Sequence, residues 1–268
     1  MSKIQFYPLD VTYKVKDNRP HILIFGRAVD GKTITVIDDS FMPYFWAILK
    51  KGEDSSRFRK SIEGLSEKQD DGILKIIDTQ IQKKNYIGED EEAIKIIVNQ
   101  PKAVVHFRDI ISARHDVELV LESDIRFAKR YMIDRGIVPA TLYEVSGEQV
   151  AEKVKTDYIM KAESINQISD DSINPKILAF DIETYNPAGK GIAADKYPII
   201  MVSLYGKDMK KVITWKKFET RHDYIEFVDG EAELITAFKT TVEEYMPDII
   251  VGYYSDGFDF PYIIERAE

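Results

Sequence analysis

Hydrophobic and polar residues alternate with a period of two over much of the first half of the chain, a pattern typical of half-buried strands. Turn signals such as "KDNRP" and "VDGK" separate the alternating stretches. Strands are predicted at residues 3–15, 21–29, 32–39, 41–49, 72–88, 92–98 and 116–123. Helices are predicted at 54–64 and at 101–113, the latter with Pro101 in its first turn. A third helix is predicted at 124–136, with Asp124 as its N-cap and Gly136 at its C-terminal end.

The order of these elements within residues 41–121 predicts a ferredoxin-like unit, in which two strand–helix–strand halves share one sheet. We assign residues 1–144 to a mixed N-terminal domain that contains this unit. The polar residues 145–174 end in a cluster of Ser, Asp and Asn, and we interpret them as a connecting segment with a short helix.

A second domain is predicted at residues 175–268. Apolar runs predict three strands, and helical spacing of Leu234, Ile235, Phe238 and Val242 predicts an amphipathic helix, followed by one more strand and the start of another helix. Three strands, a helix and a further strand are the opening of a ribonuclease-H-like fold. The fold class predicted for the whole chain is therefore α/β (α+β), with the second domain incomplete.

Composition narrows the classes of protein. Hydrophobic residues make up 44% of the chain and charged residues 31%, a balance typical of globular proteins. Cysteine is absent, which excludes disulfides and thiolate metal sites. Residues 1–150 hold 23 Lys and Arg against 24 Asp and Glu, whereas residues 151–268 hold 14 against 22, so the second half carries a net charge of −8. No apolar run approaches the roughly 18 residues of a membrane span, so we expect no membrane association and a cytoplasmic protein.

The stretch "KILAFDIETYNPAGK" ends an apolar strand with Asp181 and Glu183, whose side chains share one face because they are two residues apart. Two adjacent carboxylates repel each other unless a cation lies between them. Hard divalent ions such as Mg²⁺ prefer such oxygen ligands, and a pair of them promotes phosphodiester hydrolysis. Surface acids at a strand end are the alternative. Asp259, flanked by aromatic residues in "SDGFDFPYIIERAE", is a third acid that a shared metal would neutralise.

These motifs resemble one known family. "LAFDIET", "PIIMVSLYG", "KVITWK", "PDIIVGY" and "SDGFDFPYIIERAE" are similar to the proofreading exonuclease domain of archaeal family B DNA polymerases. "FMPYFWAIL" and "DIRFAKRYMIDRGIVP" are similar to the N-terminal domain of the same family. The resemblance covers nearly the whole chain and is weakest at residues 50–100 and 145–174.

The resemblance implies that Asp181, Glu183 and Asp259 are catalytic metal ligands for two Mg²⁺ or Mn²⁺ ions in 3′–5′ exonucleolysis. It also implies DNA contacts for Phe258 and Tyr254, although the family commonly has Asn where this chain has Tyr254. The third exonuclease motif and the polymerase palm motifs have no counterpart here. We therefore expect an N-terminal fragment of a DNA polymerase, with an incomplete metal site and little or no activity of its own.

The family's N-terminal domain captures uracil in the template strand. The matching positions in this chain are Tyr13, Pro43, Tyr44, Phe45, Pro101, Val104, Ile125, Phe127 and Arg130. Plain core packing is the alternative for each aromatic residue. Arg126 stands where the family often has Pro, and with Lys129 and Arg130 it forms a local basic cluster that could meet phosphates or be a solvated helix face.

The partners that the resemblance implies are the template single strand, the primer 3′ end, the remainder of the polymerase chain, and a sliding clamp bound through parts outside this chain. Two other functions stay open from the residues alone. One is a stand-alone ribonuclease-H-like 3′–5′ exonuclease, and the other is a non-catalytic module that binds single-stranded DNA.

Overall fold

The structure, a computed structural model, describes residues 2–70, 72–187 and 191–268, and the chain divides into the units Met1–Ile173 and Asn174–Glu268. The strands of the first unit are β1 Ser2–Lys16, β2 Arg19–Ala28, β3 Thr33–Asp38, β4 Tyr44–Leu49, β5 Ser66–Gln69, β6 Gly72–Tyr86, β7 Glu89–Val98, β8 Val117–Leu121, β9 Thr141–Gln149 and β10 Tyr158–Ser172. Its helices are α1 Ser55–Ile62, α2 Pro101–Ser112 and α3 Phe127–Arg135.

A closed barrel with the strand order β1-β2-β3-β10-β9 forms one half of the first unit. Alternate residues of its strands fill a core that includes Phe6, Ile24 and Tyr143. The interpretation of residues 145–174 as a connecting segment is wrong, because β9 and β10 occupy most of them and pair with each other. β10 also pairs in parallel with β3 and so closes the barrel.

The ferredoxin-like prediction is confirmed by the second sheet, whose strand order is β5-β6-β7-β4-β8. β4 lies between β7 and β8 and is antiparallel to both, as two interleaved strand–helix–strand halves require. α1 and α2 cover one face of this sheet and bury a core that contains Phe45, Phe58 and Phe107.

Helix α3 connects the sheet to the barrel and packs Phe127 and Tyr131 into the barrel core. It begins two residues later than the sequence predicts, with Arg126 rather than Asp124 at the N-cap and without a capping side chain. The chain turns sharply before the helix, where Glu122 adopts a left-handed backbone conformation with φ 60°. Gly136 ends the helix in the same conformation, as predicted.

The second unit has one mixed sheet. Its elements are β11 Ile177–Thr184, β12 Ile199–Gly206, β13 Met209–Thr214, β14 Ile225–Phe227, α4 Glu231–Tyr245, β15 Ile249–Val251 and α5 Asp259–Ala267. The strand order is β14-β13-β12-β11-β15, with β11, β12 and β13 antiparallel and β15 parallel to β11. This arrangement agrees with the predicted ribonuclease-H-like opening.

The sheet of the second unit buries one face of β11. Leu178, Phe180 and Ile182 pack against residues of α4 and α5, including Phe238 and Ile263. Two polar contacts connect elements around this core. The Trp215 indole donates to the Ile199 carbonyl, and the Arg266 guanidinium pairs with Glu231. The opposite face of β11 therefore carries the polar residues at its end.

Among the helices of the described residues, none is long and apolar enough to cross a membrane.

Candidate functional site

Asp181 and Glu183 lie on the solvent-facing side of β11, where alternation places them opposite buried Phe180 and Ile182. Asp181 pairs with Ser203 across the antiparallel β12, and both acids are exposed. The pairing register shifts directly after Glu183. Such irregularities redirect a strand and often lie beside active sites, and here the shift ends the strand at the pair of acids.

Asp259 is the buried member of the predicted set, with 1% of its surface exposed. The backbone N–H of Ile182 donates to its Oδ1 at 3.2 Å. Because Ile182 lies between Asp181 and Glu183, this bond brings the start of α5 to the acidic end of β11. Burial raises the pKa of Asp259, the negative charge of Asp181 raises it further, and the Ile182 N–H opposes both effects.

The donor chemistry of these three side chains fits a hard divalent ion, because all three are carboxylates. The spatial arrangement of these side chains, however, does not form a complete metal site. Within residues 2–70, 72–187 and 191–268, no three His, Cys, Asp or Glu side chains lie close enough together to hold a metal ion. The structure thus brings Asp181 and Asp259 into electrostatic contact without forming a closed ligand set.

The loop between β15 and α5 borders the acids. Tyr254 is 72% exposed and has a left-handed backbone conformation with φ 58°. Phe258 is partly buried, with its ring centroid 5.5 Å from that of Tyr262. Of the two aromatic residues predicted to contact DNA, Phe258 therefore belongs largely to the core, and Tyr254 is accessible.

A cavity of about 500 Å³ lies in the first unit between β1, β4, α2 and the start of α3. Eight of the nine residues predicted for a base-binding pocket line it: Tyr13, Pro43, Tyr44, Pro101, Val104, Ile125, Phe127 and Arg130. The Tyr13 and Phe127 rings meet edge to face at a centroid distance of 5.2 Å. The cavity is therefore mostly apolar and partly aromatic.

Phe45 does not line the cavity, contrary to the prediction. It is fully buried on the other face of β4, in the core beneath α1 and α2. Adjacent strand residues point to opposite faces, so Tyr44 and Phe45 could not both reach one pocket by their side chains.

Arg130 is a buried wall of the cavity, with 6% of its surface exposed. Its Nη1 lies 2.7 Å from Glu122 Oε2, and its Nη2 donates to the Glu122 carbonyl at 3.2 Å. The guanidinium also lies 4.8 Å from the centre of the Tyr44 ring, whose hydroxyl donates to Asp134 at 2.6 Å. Burial and Asp134 raise the pKa of Tyr44, so this hydroxyl remains protonated at neutral pH.

The predicted basic cluster is not a single patch. Arg126 is exposed and lines the cavity, Lys129 is exposed and is not among the lining residues, and Arg130 is buried between acids. Sequence reasoning missed two cations of α2 at the cavity, Lys102 and Arg108. Their spacing of six residues gives no motif, so only the packing of α2 beside α3 could reveal them.

The strand order and the acids at the end of β11 place the second unit in the ribonuclease-H-like class. The chain belongs to DNA polymerase family B, since residues 119–268 match the family model described as "DNA polymerase family B, exonuclease domain". A DNA polymerase of Pyrococcus glycovorans is 34% identical over 97% of this chain, and one of Thermococcus aggregans is 33% identical over 97%.

A solved structure agrees with this assignment. The family B DNA polymerase of the hyperthermophilic archaeon Pyrobaculum calidifontis superposes with a TM-score of 0.75 and 28% identity, over 98% of this chain and 32% of that chain. The chain spans 29% of the Pyrococcus glycovorans polymerase and 12% of the Thermococcus aggregans one. The similarity therefore concerns one region of these longer proteins.

Proposed function

We propose that this chain is part of a DNA-directed DNA polymerase that replicates DNA, and that its second unit serves 3′–5′ proofreading. The observation that carries the proposal is the hydrogen bond from the Ile182 N–H to buried Asp259, which joins the two acidic motifs at one strand end. A stand-alone exonuclease is the alternative function, and the similarity to polymerases over 97% of the chain, which includes the first unit, favours the polymerase.

In this proposal, Asp181, Glu183 and Asp259 hold divalent ions, Mg²⁺ or Mn²⁺, at the end of β11. Bound ions of this kind neutralise phosphate charge and lower the pKa of a coordinated water. The carboxylates position the ions, and the Ile182 N–H orients Asp259. Asp181 and Glu183 are exposed and therefore accessible to the primer 3′ end, whereas Asp259 is buried.

The test is hydrolysis of 5′-labelled single-stranded DNA by the 268-residue chain with Mn²⁺, with EDTA as the blank. We expect slow shortening from the 3′ end that Asp181→Ala and Asp259→Asn each abolish, because each change removes a metal ligand. Asp208→Asn is the matched control, an exposed acid in the same unit. Equal rates in all three variants contradict the proposal, and so does EDTA-resistant cleavage.

We also propose that the cavity of the first unit captures a template uracil that flips out of the single strand. The lining by eight of the nine predicted residues supports this second role. An extruded base loses its stacking in the strand and regains it against aromatic walls, here Tyr13, Tyr44 and Phe127. Arg126, Lys102 and Arg108 lie around the cavity, where flanking phosphates would pass.

Binding to matched oligonucleotides with one uracil or one thymine tests the pocket. We expect the uracil strand to bind about tenfold or more tightly, because one methyl group changes binding in a shaped pocket by about that factor. Val104→Gln places a longer, polar side chain in the wall of the cavity and should abolish the difference. Ile110→Gln, on the exposed side of the same helix, should preserve it. Equal affinities of the unmodified chain for the two strands would refute this role.

A further inference from the structure

The loop after β15 exposes two adjacent tyrosines beside the acidic strand end. Tyr253 is 96% exposed and Tyr254 is 72% exposed. β15 pairs in parallel with β11 at Val251 and Ala179, and the backbone of Gly252 lies close against the Phe180 carbonyl. β15 therefore ends two residues before the level of Asp181, and Tyr253 and Tyr254 follow directly after Gly252.

Tyr254 occupies a backbone conformation that its side chain disfavours. Its φ of 58° lies in the left-handed region, which Gly and Asn adopt much more readily than bulky residues. Its ring lies against Gly257, where an added Cβ would be 2.3 Å from the ring Cζ. Gly257 thus leaves space for the ring, and most of the Tyr254 side chain still faces solvent. Strained residues of this kind cluster at functional sites.

The charge of the second unit limits how the site can hold DNA. Residues 174–268 hold 11 Lys and Arg against 17 Asp and Glu, a net charge of −6 that repels phosphates. Base stacking on an aromatic side chain needs no positive charge and accepts any base sequence. Exposed tyrosine rings next to the carboxylates therefore fit the bases of a single strand better than its backbone.

We infer that Tyr254, with Tyr253 beside it, is a stacking platform for the 3′-terminal bases of the strand that enters the acidic site. The inference rests on the proposed exonuclease function and adds specificity-determining residues to it. It also explains why an aromatic residue is present at a position whose backbone favours Asn or Gly.

The test uses single-stranded DNA with 2-aminopurine at its 3′ end, whose fluorescence falls when the base stacks. All proteins carry Asp181→Ala, so hydrolysis at the proposed site does not interfere. Tyr254→Ala should weaken binding about 5- to 100-fold and remove the quenching, the range expected for one stacked base. Tyr254→Phe should retain both. Phe218→Ala, which removes an exposed ring elsewhere in the unit, should change neither.

Two further variants separate stacking from a structural role. Tyr254→Asn should raise the melting temperature, because it relieves the left-handed strain, and should still lose the quenching. Gly257→Ala should displace the ring and reduce the quenching although the tyrosine remains. The inference is overturned if Tyr254→Ala leaves affinity and quenching unchanged, or if Tyr254→Asn preserves the quenching.

Failure of the stacking platform and failure of the exonuclease function give different results. If the chain without substitutions does not hydrolyse DNA but Tyr254-dependent quenching persists, the platform stands and the catalytic proposal fails. If metal-dependent hydrolysis occurs without any Tyr254-dependent quenching, the catalytic proposal stands and the platform fails.

Discussion

The cavity of the first unit and the acidic strand end of the second unit balance their buried charges in opposite ways. Arg130 is enclosed by Glu122 and Asp134 and lies against the Tyr44 ring, so its charge is compensated within the fold. Asp259 is buried with one backbone donor and with negatively charged Asp181 nearby. A pocket that recognises a base by shape requires only packing, whereas a site for cations requires negative charge that the fold itself leaves uncompensated.

Glu122 shows how the first unit achieves this compensation. Its left-handed backbone turns both its carbonyl and its carboxylate toward Arg130, and the carboxylate also pairs with Lys84 at 2.6 Å. Burial opposes ionisation of Glu122, but Lys84 and Arg130 outweigh it and hold its pKa below the usual range. These contacts hold Arg130 in the wall of the cavity.

The largest effect that we predict comes from removal of the compensated cation. Arg130→Met should lower the free energy of unfolding of the first unit by about 1–3 kcal/mol, because Asp134 loses its cation and Glu122 keeps only Lys84. Urea unfolding measures this change. Lys129→Met, one residue away and exposed, should stay within about 0.5 kcal/mol. A small loss for Arg130→Met would show that the charges are not coupled.

A smaller effect of opposite sign is predicted for the uncompensated acid. Asp259→Asn in EDTA should leave the second unit as stable or raise its free energy of unfolding by up to roughly 1 kcal/mol. The amide oxygen can still accept the Ile182 N–H, and the repulsion from Asp181 disappears. A loss of several kcal/mol would mean that Asp259 is a structural acid, and the contrast between the two units would fail.

The sequence predicted those parts of the fold in which each strand carries its own hydrophobic alternation. It missed β10, whose burial pattern is mostly exposed and whose pairing with β9 contains three irregularities. β10 is a strand because β3 and β9 supply hydrogen-bonding partners, not because its own sequence alternates. Alternation of Tyr44 and Phe45 was available in the sequence and would have excluded Phe45 from the cavity.

The sequence identified most residues of the candidate sites, but it did not predict how those residues are arranged in space. The acids followed from two motifs, yet the bond between Asp259 and Ile182 joins residues that are 77 positions apart along the chain. The left-handed conformation of Tyr254 and the buried partners of Arg130 depend equally on neighbours from other elements. Local sequence patterns identify the side chains, and tertiary packing decides their charge balance.

Calorimetric titration of the 268-residue chain with Mn²⁺ tests most directly whether Asp181, Glu183 and Asp259 hold divalent cations. We predict saturable binding that Asp259→Asn weakens at least about tenfold and that the control Asp208→Asn leaves unchanged. Binding of equal strength in all three proteins, or none at millimolar Mn²⁺, would contradict a cation site at the end of β11.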